Sequence, residues 1–133
     1  MVKLGVGQLT AGADTIVLGT VTGQTSAWNA GRTAIYTDVT VAVETAVKGA
    51  PGAEVTLRIA GGEVEGIGMR TSTDPVFQTG ERVVVFIDTA GAATAQLVGM
   101  RQGKFTVRNN QVSVEGRATQ VADFLNQIRV LSR

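Results

Sequence analysis

The sequence predicts a mainly β domain: five to seven antiparallel strands rolled into a closed or nearly closed barrel, followed by one C-terminal α-helix. Three observations carry that expectation. Val (20) and Thr (17) make up more than a quarter of the 133 residues, and both are β-branched residues that favour strands. From Ile35 to Val47 the sequence alternates without a break, the period of two that sends successive side chains to opposite faces of a strand. Only the C-terminal segment carries a helical stripe, with Val121, Phe124, Leu125, Ile128 and Leu131 at 0, 3, 4, 7 and 10. Closure follows because a barrel removes the exposed edges that such a sheet would otherwise carry. A chain of this length suits one domain spanning 1–133, with the barrel at about 13–116 and the helix at about 119–131.

Taken in order, Val6–Ala11 can form a short helical turn, although its glycines make it a poor helix alone. Thr15–Thr22 is apolar on both parities, as expected for a strand covered on both faces. Gly23–Thr33 shows no period and reads as irregular. Ile35–Val47 is long enough to need a bend or bulge around a core, and Lys48-Gly-Ala-Pro-Gly52 breaks it. Glu54–Ile59 alternates again. Gly61–Gly80 holds five of the 17 glycines and reads as a loop, of a length that is usually functional or mobile. Arg82–Ile87 is a central strand and Leu97–Met100 a further one. Lys104–Arg108 and Gln111–Glu115 alternate around Asn109-Asn110, a hairpin turn of left-handed residues. Thr119 is placed to cap the terminal helix.

The chain has no His and no Cys. Ser-His-Asp and Cys-His nucleophiles, Cys/His zinc sites and disulfides are therefore excluded, leaving carboxylates, hydroxyls, Lys, Arg and Tyr for chemistry. No cofactor and no metal site are expected. A net charge of +1 gives no field that would draw nucleic acid or a membrane surface, and no apolar run is long enough to span a bilayer. Met1-Val-Lys-Leu-Gly-Val-Gly7 lacks the apolar centre of a signal peptide, so an exported chain would be represented here in a mature form.

Few residues stand out as site candidates. The glycines at 61, 62, 66 and 68 match no phosphate-loop pattern, and their bland role is to permit tight bends. Glu63 and Glu65 would point the same way if extended, roughly 7 Å apart at the backbone, a spacing open to carboxylate acid/base work. Asp38 and Glu44 share a face but would stand roughly 20 Å apart. Trp28, followed closely by Arg32, either lids the barrel or stands out as an interface anchor. Met69 and Arg70 are of types enriched in interfaces.

Ala13-Asp-Thr-Ile-Val-Leu-Gly19, Thr37-Asp-Val-Thr-Val41, Val47-Lys-Gly49, Phe77, Gly80-Glu-Arg-Val-Val-Val-Phe86 and Gly103-Lys-Phe105 follow one another in an order with a precedent. Over roughly residues 11–131 the chain resembles the netrin-like modules, which include the N-terminal domain of tissue inhibitors of metalloproteinases and are OB-type barrels. It is similar also to uncharacterised bacterial exported proteins of that kind, in which the Gly-Lys-Phe motif and a final amphipathic helix recur. The resemblance implies an OB-like fold and an extracytoplasmic, non-enzymatic binding domain. Its partner would be a protein, such as a protease, engaged through loops 23–33 and 61–80 with Trp28, Arg32, Glu63, Glu65, Met69 and Arg70. The inhibitors' zinc chelation by an N-terminal cysteine has no counterpart in a chain without cysteine. A small-ligand barrel, with the ligand between the long strand and loop 61–80, is the alternative. A hydrolase using Glu63 or Glu65 is a further one.

Overall fold

The computed structural model describes residues 4–69, 76–89 and 95–132. Among them the elements run α1 (Val6–Gly12), β1 (Thr15–Trp28), β2 (Ile35–Lys48), β3 (Glu54–Ala60), β4 (Gly62–Val64), β5 (Ile67–Met69), β6 (Arg82–Asp88), β7 (Gln96–Leu97), a 3-10 turn (Met100–Gly103), β8 (Lys104–Thr106), β9 (Gln111–Val114), β10 (Arg117–Gln120) and α2 (Val121–Leu131). The main sheet has the order β3-β2-β1-β6-β7, and β8 pairs with β6 beside it. All its ladders are antiparallel. Two hairpins, β4–β5 and β9–β10, stand apart from it. The fold is thus mainly β and antiparallel with a C-terminal helix. The two ends of the main sheet touch at one point, where Leu57 forms a parallel bridge with Ala95 and the Arg58 N–H donates to the Ala95 carbonyl at 2.9 Å. No continuous ladder closes the sheet among the described residues.

The doubly apolar start of β1 has the predicted cause. Ile16 and Leu18 pack on one face with Leu9, Val84, Phe86, Phe124 and Ile128. Val17 and Val21 pack on the other with Val39, Val41, Leu57, Val83, Val85 and Ile87. The helices cover the first face. Helix α1 forms despite its glycines because Val6 and Leu9 are buried against that core, packing that outweighs poor propensity. Helix α2 buries Phe124 beside Phe105 (centroids 4.9 Å) and Phe86 (6.3 Å).

Several expectations need correction. Strand β1 runs on to Trp28, through most of the segment expected to be irregular. Its last residues are exposed or half-buried, so no apolar period marks them, but register shifts near Val21/Gly23 keep them paired with β2 as far as Trp28–Ile35. The 61–80 segment contains the β4–β5 hairpin. Thr119 lies in β10, and Gln120 precedes α2 without a side-chain cap. The Asn109-Asn110 turn is as expected, with φ of 53° and 60°. The strands flanking it part company, because β8 pairs with β6 and β9 with β10.

Candidate functional site

The far end of the β1–β2 hairpin is built by one asparagine. Asn29 Oδ1 accepts the N–H of Thr33 (2.8 Å) and of Ala34 (3.3 Å), while its Nδ2 donates to Thr33 Oγ1 at 3.0 Å. Backbone bonds from Asn29 N–H to the Ala34 carbonyl and from Arg32 N–H to the Asn29 carbonyl complete the turn. Arg32 takes a left-handed conformation (φ 54°) and carries its guanidinium over the Trp28 ring, 5.4 Å from the centroid, a cation–π arrangement. The indole is half-buried, and its N–H is shielded from solvent with no acceptor among the described residues. The structure therefore brings Trp28 and Arg32 together.

The β4–β5 hairpin is seated beside them. Gly61 N–H donates to the Ile35 carbonyl (2.9 Å), and Thr37 Oγ1 donates to the Gly61 carbonyl (2.8 Å) while sharing a hydrogen bond with Ser26 Oγ. Gly62 then passes so close that a Cβ would lie 2.5 Å from Thr37 Oγ1 and 2.6 Å from Ser26 Oγ. Glu65 and Gly66 turn the hairpin with φ of 52° and 81°, the two left-handed residues of a type I′ turn. This corrects the carboxylate pair: Glu63 lies in β4 and Glu65 in the turn, so the two are not alternate residues of one extended strand. Both are exposed. On β5, Ile67 and Met69 share a parity and are 51% and 37% exposed. Arg70 lies outside the described residues.

Sequence reasoning missed a second cluster at this end of the sheet. A cleft of about 340 Å³ opens among Asn29, Tyr36, Arg58, Ala60, Gln96 and Leu97. The Arg58 guanidinium lies 3.7 Å from the centre of the Tyr36 ring and holds Asp38 by two bonds, Nε to Oδ1 at 2.9 Å and a second to Oδ2 at 3.0 Å. The hydrogen bond to Asp38 raises the Arg58 pKa above its usual range. Asp38 and Arg58 stand on separate strands, and only the β2–β3 register makes them neighbours.

Behind the segment leading into β6 lies a mostly buried ion pair, Lys104 Nζ to Glu81 Oε1 at 2.9 Å, the side chains 12% and 14% exposed. Thr106 Oγ1 (3.0 Å) and the Gln78 N–H (3.1 Å) also donate to this carboxylate. Lys104 reaches the Val76 carbonyl and stands over the Phe77 ring. Burial pushes the Glu81 pKa up, but the bonds from Lys104, Gln78 and Thr106 outweigh it and leave the carboxyl below its ordinary value. The residues act as a clamp on segment 76–81. Among the described residues no three His, Cys, Asp or Glu are grouped to hold a metal ion. What the sheet end offers is contact chemistry: an aromatic–guanidinium pair, an apolar hairpin face and a shallow cleft. No protein-family model matches the chain, and no curated protein is significantly similar to it.

Proposed function

We propose that this chain is a non-enzymatic binding domain that engages a protein partner through the end of its sheet formed by the 29–34 turn and the β4–β5 hairpin. The exposed Ile67 and Met69 carry this reading. Exposed apolar side chains that form a contiguous patch mark an interaction site, and this hairpin is held in place by Gly61 and Gly62. Trp28 and Arg32 beside it are residue types that dominate interface energies. The family resemblance adds that the partner is extracytoplasmic and that a protease is a candidate. It also favours an OB-like barrel, a reading supported by the strand order and by the Arg58–Ala95 bond between the sheet's ends. Inhibition without a cysteine would work by the hairpin occluding a cleft.

The test is a photo-crosslinking residue at position 67, with a control at exposed Glu54, in envelope extract of the source cell. A partner captured from position 67 alone, and lost in Ile67→Asp/Met69→Asp with an unchanged circular dichroism spectrum, is the expected result. Equal capture from both positions would refute the assignment.

The 340 Å³ cleft favours a second reading, a small planar ligand against Tyr36 and Arg58. Such a ligand would sit at the sheet's end, since the face between β2 and β6 is filled by Val39, Val41, Val83 and Val85.

A further inference from the structure

Strands β8 and β9 flank the Asn109-Asn110 turn, yet no ladder joins them among the described residues. The Val107 N–H donates to the Arg82 carbonyl at 2.8 Å, which fixes the phase of the β6–β8 ladder. Alternate residues pair in an antiparallel ladder, so Phe105 turns its backbone groups toward β6. Lys104 and Thr106 turn theirs away. Across the gap, Gln111 and Arg108 exchange both backbone bonds at 2.9 Å. Val112 and Val114 therefore pair with β10, and Ser113 presents its N–H and C=O toward β8. Between these two edges lies a groove of about 690 Å³ whose lining includes Lys104, Phe105, Thr106, Arg108, Val112 and Ser113.

The charge of the groove has one sign. Lys104 and Arg108 are the ionisable residues among its lining, and no carboxylate joins them. Lys104 is already neutralised by Glu81. Arg108 is exposed, and the described residues give it no acidic partner.

We propose that this groove binds an extended acidic peptide segment, which adds as a strand to the free edge of β8 and places a carboxylate on Arg108. Strand addition draws its affinity from main-chain hydrogen bonds and its selectivity from alternate side chains. Here the main-chain partners are Lys104, Thr106 and Ser113, and Arg108 supplies the selectivity. None of these residues belongs to the surface proposed above for the protein partner, so the two assignments stand or fall separately.

The experiment titrates the isotope-labelled chain with a synthetic octapeptide of alternating Glu and Val. Two control peptides have Lys in place of Glu, or N-methyl groups on alternate amides. The expected result is shifted amide resonances and at least fivefold slower hydrogen exchange at Lys104, Thr106 and Ser113. Both control peptides, and the Arg108→Glu variant with the acidic peptide, should bind at least tenfold more weakly. Ser113→Pro removes one groove-facing N–H while sparing the β9–β10 ladder, and should weaken binding at least fivefold. No response at the three amides, equal binding of the lysine peptide, or indifference to Arg108→Glu would each overturn the proposal. So would concentration-dependent shifts at those amides without peptide, which would make a second copy of the chain the occupant.

Discussion

Lys104 stands in a three-residue strand, yet its ammonium holds Glu81, the Val76 carbonyl and the face of Phe77. Such a clamp ties stability to pH. The folded Glu81 carboxyl lies below its ordinary 4.5. A depressed carboxyl contributes stability that is fully present above the unfolded value and is lost as pH falls through the folded one. Unfolding free energy should therefore drop below about pH 4.5, and Glu81→Gln should flatten that dependence while costing about 1–3 kcal/mol at pH 7. Glu44 is lowered in the same direction by its bonds from Arg82, so the measurement is the wild-type-minus-variant difference in urea midpoints across pH 3–7. Gly62 is the other residue on which position depends. It has φ of 141° and no room for a Cβ beside Ser26 and Thr37. Gly62→Ala should cost about 1–3 kcal/mol and should weaken partner capture by displacing the hairpin. Unchanged thermal unfolding would show that the close approach is not needed.

At the scale of elements, the β4–β5 turn departs from its best chemistry. Glu65 occupies a left-handed position that Asn fills more readily, and Asn-Gly is the favoured pair for this turn. Glu65→Asn should stabilise the chain by about 0.5–1 kcal/mol, read as a raised urea midpoint, and no gain would mean that the hairpin folds independently of the sheet. This hairpin also shows where the sequence was readable. Val55, Leu57 and Ile59 disclosed β3 because one face is buried, and Phe124, Leu125 and Ile128 disclosed α2 for the same reason. Gly62–Met69 has two mostly exposed faces and carries no such period. Its glycines signalled bends, but not which strand they lay against. The Trp28–Arg32 contact depends on a left-handed Arg32, and the Arg58–Tyr36–Asp38 group depends on register. Neither property is local in the sequence. The splaying of β8 from β9 was hidden likewise, because a good two-residue turn normally announces a continuous hairpin.

For the whole molecule, the decisive arrangement is that β1 and β6 each feed both cores. Ile16, Leu18, Val84 and Phe86 face the helices, while Val17, Val83, Val85 and Ile87 face the opposite side. Unpairing the two strands would expose both sets at once, so neither core can melt while the other stays packed. The chain should then unfold in one cooperative step. Leu18→Ala, in the helix-covered core, should cost about 3–4 kcal/mol, and Val17→Ala, in the other, about 2 kcal/mol. Each should shift a single transition in urea, with far-UV circular dichroism and the methyl resonances of both cores moving together. A Val17→Ala protein that lost the Val39 and Leu57 methyl signals first, while keeping those of Leu125 and Ile128, would mean that the two faces are separate folding units. The same coupling bears on binding, because β1 runs from the centre of both cores to Trp28. A contact made at the sheet's end is thereby anchored to the most buried strands of the molecule.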